Sequence, residues 1–146
     1  MKKLKIMFLG IVFLFLGVLS SCGSQEDNVI YKDGTYEGKS ENHTVDNDGV
    51  GAGYAICIIE IKDNIITSCD FKLYELDGTL KDEKYGSEYS KENYIKAQKA
   101  IQSATKYAKS LVESSNINSV DVISGATITY SEFIEAVNNA LNKAKE

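Results

Sequence analysis

The 146-residue chain carries 16 lysines and arginines against 21 aspartates and glutamates, with one histidine and three cysteines. That length suits one domain, and the acidic balance argues against a nucleic-acid partner, since such binders concentrate Lys and Arg on one face. His43 has no cysteine or second histidine at ligand spacing, so no zinc or other metal site is expected and His43 reads as a solvated loop residue.

Lys2, Lys3 and Lys5 precede an apolar run from Ile6 to Leu19, the pattern of a secretory signal. The run is short for a membrane span, which needs roughly 20 apolar residues. Leu19-Ser20-Ser21-Cys22 resembles a bacterial lipobox, which implies lipidation at Cys22 and a chain that is anchored rather than spanning. An ordinary secretory signal with an incidental cysteine is the alternative. The expected organisation is a signal peptide over 1–21, a lipidated N-terminus and tether over 22–30, and one domain over 31–146. The part after residue 21 holds 13 lysines and arginines against 21 acidic residues, a side-chain charge of −8. A domain on the outer side of a membrane fits that charge.

In chain order, Asp33-Gly34 is a turn signal before a strand predicted over Thr35 to Lys39. The polar, glycine-rich stretch from Ser40 to Gly53 reads as a loop. Then Ala55, Cys57, Ile59 and Ile61 line one face of a strand. Ile65, Thr67, Cys69, Phe71 and Leu73 line a face of the next. A three-residue turn, Lys62-Asp63-Asn64, would bring these faces together by pairing Ile61 with Ile65, Ile59 with Thr67 and Cys57 with Cys69, with Asn64 left-handed. In that register the two cysteines are either a disulfide or two buried thiols; they lack the C-x-x-C spacing of a redox site.

A turn at Asp77-Gly78 marks a surface excursion. Ser90 precedes a long helical stripe of Tyr94, Ala97, Ile101, Ala104, Ala108 and Leu111, limited by the polar run from Glu113 to Asn116. Residues from Ile117 to Ile123 read as a short strand or extended segment. Thr129 and Glu132 have capping-box spacing, which predicts a last helix from Thr129 with Phe133, Val137, Ala140 and Leu141 inward. These patterns predict an α+β fold, a twisted antiparallel sheet covered by a long helix and a C-terminal helix.

With Thr129 engaged in the cap, Thr127 keeps a free hydroxyl on the approach to the helix, and Gly125 and Ala126 keep its surroundings low. Spacing alone leaves two readings, a structural turn or an anion site at a helix start. The stretch Asp121-Val122-Ile123-Ser124-Gly125-Ala126-Thr127 resembles the D-x-x-S-G-A-T flavinylation motif of the FMN-binding domain family. "DGTYEG" at 33–38, "IEIKDNIITSCDF" at 59–71 and "SGATITYSEFIEAVNNAL" at 124–141 are similar to the family's domain in order and approximate spacing. Asn64 stands where a glycine is common in the family.

The resemblance implies FMN as cofactor, joined through a phosphoester to Thr127 by a dedicated FMN transferase, with Asp121, Ser124, Gly125 and Ala126 read by the transferase or packed around the linkage. Thr129 is counted with them as cofactor-binding. No residue is assigned a catalytic role, and Tyr54, Tyr74 and Tyr130 are candidate neighbours of the flavin ring. The implied protein is an electron carrier, lipid-anchored on the extracytoplasmic face of the bacterial cell membrane, passing electrons from a membrane donor to an extracellular acceptor or a partner reductase. Alternatives are a lipoprotein binding or assembly module with an empty flavin site, and a flavin-dependent reductase of a small substrate.

Overall fold

A computed structural model of the protein describes residues 29–44 and 51–145. The signal segment, Cys22 and most of the tether lie outside them, as do residues 45–50 of the polar stretch. The period-2 segments form a three-stranded antiparallel sheet in the order β1-β2-β3, with β1 at Gly34–Lys39, β2 at Tyr54–Lys62 and β3 at Ile65–Tyr74. Helix α1, Lys91–Ser114, packs on β3, and helix α2, Thr127–Ala144, packs on β1 and β2. The fold is the expected α+β union, in which an apolar sheet face and two apolar helix stripes bury one another.

The β2–β3 hairpin departs from the predicted register. The turn has two residues, Asp63 and Asn64, both with positive φ (52° and 62°), the left-handed pair that matches the twist of the flanking strands. Asp33 Oδ1 accepts from the Asp63 N–H at 2.8 Å, and Asn64 Oδ1 accepts from the Tyr31 N–H at 2.8 Å, so both turn residues are held from the segment entering β1. A two-residue turn alone would set the apolar face of β2 against the polar face of β3. The register shift between Glu60 and Ile61 restores the match, as Ile61 pairs with Ile66 and Glu60 with Ser68, leaving Thr67 as the extra residue of a bulge. Ile59 therefore faces Cys69, and Cys57 faces Phe71. Ile66, and not Ile65, is buried, and its N–H donates to Ser115 Oγ at 2.7 Å.

The cysteines are consequently diagonal neighbours. Both are free thiols, with the Sγ atoms 3.5 Å apart.

Ser90 caps α1 by accepting from the Asn93 N–H at 3.2 Å, and Ser115 ends it in the left-handed conformation. Ala97, Ala104, Ala108 and Leu111 are buried as the stripe predicts, while Tyr94 and Ile101 are half-buried. Tyr107, absent from that stripe, is a central core side chain at 1% exposure, stacked on Phe133 and tilted against Tyr130. On α2, Phe133, Val137, Ala140 and Leu141 are all buried. The helix lies so close to β1 that a Cβ at Gly38 would collide with the Ala136 carbonyl and the Ala140 amide.

Two connections also differ from expectation. Residues 117–119 form a single 3-10 turn instead of starting a strand, because Val120 is the buried anchor of the segment and the residues around it face outward or sit at the core margin. The Asp77-Gly78 turn forms, with Gly78 at φ 92° and the Glu75 N–H donating to the Thr79 carbonyl. It is not only a surface excursion, since Leu80 bridges back to Tyr74 and the Lys81 N–H donates to the Leu73 carbonyl at 2.9 Å. That return delivers Lys81 to the interior.

Candidate functional site: a cleft at the start of helix α2

The loop leading into α2 is held from both helices. The Tyr107 hydroxyl of α1 accepts from the Ile123 N–H at 2.9 Å and donates to the Ala126 carbonyl at 3.2 Å. The Tyr130 hydroxyl of α2 donates to the Val120 carbonyl at 2.9 Å. Gly125, at φ 76°, makes the reversal that lets the Ala126 N–H reach the Ile123 carbonyl, a conformation glycine adopts without a Cβ penalty.

Helix α2 begins at Thr127, two residues before the capping-box prediction. Its N-cap is Ala126, which has no side-chain cap, and the Tyr130 N–H closes the first turn on the Ala126 carbonyl at 2.9 Å. Thr129 is thus a buried first-turn residue, not a cap, and Glu132 does not reach back to it. The physical reason is the Tyr107 clamp, which holds the Ala126 carbonyl where it starts the helix and so sets the register that the side-chain spacing would have placed later. Thr127 is exposed, and its hydroxyl makes no hydrogen bond among the described residues. Thr127 is therefore the first residue of α2 and not on the approach to a helix capped by Thr129.

Thr127 stands on the rim of a cleft of about 390 Å³ between the α2 start, α1 and the segment after β3, within the roughly 300–1,000 Å³ range of small-molecule sites. Of the expected residues, Gly125, Ala126, Thr127 and Thr129 line it. Asp121 and Ser124 are exposed and lie outside its lining. Tyr54 and Tyr74 stack on each other at 5.5 Å, with Lys39 over Tyr54. Neither they nor Tyr130 line the cleft; the tyrosine that does is Tyr85.

No local pattern points to the cleft's polar groups. Lys81 is 7% exposed; its ammonium donates to the Gly51 carbonyl at 3.2 Å and lies 5.0 Å from the Tyr85 ring centroid. The Tyr85 hydroxyl accepts from the Gly51 N–H at 2.8 Å. Glu132 is 6% exposed, and its Oε1 has no partner among the described residues. Burial pushes the Glu132 carboxyl above the usual range, opposed by the Lys81 charge. The same burial lowers Lys81, with the Glu132 charge opposing, and raises the Tyr85 phenol. Lys96 also lines the cleft, and Lys99 lies against Gly125, where an added Cβ would come within 2.8 Å of its Nζ.

A second hollow, of about 310 Å³, lies on the other side of Thr127, Ile128 and Glu132, and Glu41, His43 and Glu135 complete its wall. His43 is half-buried, paired through its backbone with Gly53. It is not simply a solvated loop residue.

An uncapped helix start, two lysines and a free hydroxyl suit an anionic group at one end of the cleft, because first-turn N–H groups and the helix dipole favour negative charge. The apolar wall of Ala97, Ala100 and Ile101 with the Tyr85 ring suits a flat ring at the other. An anionic, ring-bearing ligand is what this site accommodates.

Residues 24–142 match the family model described as the FMN-binding domain. The chain belongs to the FMN-binding domain family, whose membership supports a flavin-binding role with FMN as the cofactor. Among solved structures, a crystal structure of a Clostridium perfringens protein is similar at 22% identity and a TM-score of 0.59, covering 80% of this chain and 90% of that one. A solution structure of a protein from Clostridium thermocellum aligns at 22% identity and a TM-score of 0.43, covering 79% and 93%. No curated protein matches the chain. The residues of the cleft fit FMN, whose phosphate and flat ring are the anionic and planar parts such a site accommodates.

Proposed function

We propose that this protein is an extracytoplasmic, lipid-anchored electron carrier whose FMN is joined through a phosphoester to Thr127. The observation that carries this reading is the exposed Thr127 hydroxyl, without a hydrogen bond among the described residues, at the first residue of α2, in the lining of the cleft. Thr129 offers no competing acceptor, since it is 3% exposed.

The flavin, when bound, supplies the electron transfer, and the protein supplies attachment, orientation and electrostatics. First-turn N–H groups of α2, with Lys96 and Lys99, compensate phosphate charge. Tyr107 and Tyr130 fix the loop that presents Thr127. A covalent link keeps the cofactor on a secreted protein despite dilution. The lipobox-like Leu19-Ser20-Ser21-Cys22 supports an anchor at Cys22, and a carrier held at the membrane fits exchange between a membrane donor and an extracellular acceptor or reductase.

Co-expression with an FMN transferase, followed by intact mass and in-gel flavin fluorescence, tests the reading. Wild type and Thr129→Ser gain one FMN, and Thr127→Ala gains none. An unmodified wild-type mass beside an active transferase, or a fully flavinylated Thr127→Ala, would overturn it.

A further inference from the structure

We propose that Glu132 is the proton-exchange group of the cleft, connecting a reducible ligand held there to solvent in the second hollow. The proposal rests on the flavin-carrier reading and assigns a role to a residue outside the attachment motif.

Glu132 is a costly residue to keep for structure alone. A buried polar atom without a partner loses its hydration for nothing in return, yet Oε1 of this 6% exposed side chain has no partner among the described residues. The capping role that its spacing suggests is not taken up. Glu132, with Thr127 and Ile128, lines both the cleft and the second hollow, so this residue of the first turns of α2 stands between the two spaces.

The titratable groups that share the two hollows with it are Lys81 and Tyr85 from the segment after β3, Lys96 from α1, Glu41 and His43 from the segment after β1, and Glu135 from α2, of which Lys81 and Glu135 act on its charge. Burial favours the neutral carboxyl, and Glu135 adds to that, while Lys81 favours the carboxylate. Such opposed influences at one cleft are the usual setting of a proton-transfer group.

When a ligand in the cleft is reduced by two electrons from dithionite, itself oxidised to sulfite, Glu132 would break its O–H bond and give that proton to the reduced ligand, and the carboxylate left behind would be compensated by the Lys81 ammonium. Glu132 would then regain a proton from solvent water on the side of the second hollow.

Two measurements on the full chain in detergent micelles test this. In the flavin-free protein, carboxyl-carbon NMR of labelled glutamates, assigned by the resonance missing in Glu132→Gln, follows the titration directly. Glu132 is expected to titrate above the other glutamates, and higher still in Lys81→Met, where the opposing charge is gone. An ordinary Glu132 titration that ignores Lys81→Met overturns the proposal. In the flavin-loaded protein, the rate of reduction by dithionite, followed by flavin absorbance in stopped flow, is expected to change with pH at the Glu132 titration, with that dependence lost in Glu132→Gln and kept in Glu135→Gln. A pH dependence of the rate unchanged in Glu132→Gln overturns it as well. A wild-type chain that takes up no flavin counts against the carrier reading instead, and the carboxyl titration then decides the role of Glu132 alone.

Discussion

The Tyr107 hydroxyl on α1 donates to the carbonyl of Ala126 at 3.2 Å, the carbonyl that starts α2. Because the same hydroxyl accepts from the Ile123 N–H, one core side chain fixes both sides of the Gly125 reversal. Tyr107→Phe keeps the ring stacking but takes the partner from the part-buried Ile123 amide and leaves the Ala126 carbonyl with the Tyr130 N–H alone. The expected loss is about 1–3 kcal/mol, read by denaturant unfolding, with faster hydrogen exchange at Ile123. Unchanged exchange at Ile123 would remove the clamp from the account of the site.

Gly38 sets the distance between sheet and helix. A Cβ there meets the backbone of Ala136 and Ala140, which cannot move as a side chain can. Gly38→Ala must lift α2 from β1, and overpacking of this kind costs about 1–3 kcal/mol or more. Thermal melts should show a larger drop for Gly38→Ala than for Gly78→Ala, whose added Cβ approaches only the Tyr54 hydroxyl at 3.7 Å.

The diagonal thiols should differ in reactivity. The hydrogen bond with Cys69 comes first among the causes that push the Cys57 thiol up, and burial comes second, so Cys57 stays protonated and is a poor nucleophile. Cys69 is half-buried. In folded, non-reduced protein, alkylation and peptide mapping should label Cys69 first and Cys57 only on unfolding. Recovery of a cross-linked peptide pair would contradict the free-thiol state.

Glu132 also gives stability a pH dependence. Its folded pKa is raised above the ordinary 4.5, so the unfolded chain releases this proton first as pH rises. The contribution is fully present below that value and is lost as pH climbs through the folded one. Wild-type Tm should therefore decline across the acid-to-neutral range more than that of Glu132→Gln. Lys81, lowered from 10.5 by burial, works in the opposite sense only toward the alkaline end. Parallel Tm profiles for the two proteins would show that Glu132 is not buried as described.

Local patterns in the chain are enough for the strand and helix inventory, the inward residues of β2 and α2, and the start of α1 after Ser90. Those follow from alternation, helical spacing and local cap chemistry, which act within a few residues. The hairpin turn needed more than alternation, because a two-residue turn with a bulge at Thr67 and a longer turn without one satisfy the same apolar pattern; contacts from Asp33, Tyr31 and Ser115 select the former. Likewise the start of α2 depends on a hydroxyl nineteen positions away in the chain, and no local cap signal carries that information. The cleft's polar pair, Lys81 and Glu132, was invisible for the same reason. A lysine after a surface turn and a glutamate in a helix look solvated one at a time, and only the return of the Asp77-Gly78 excursion to the sheet buries them in one cleft.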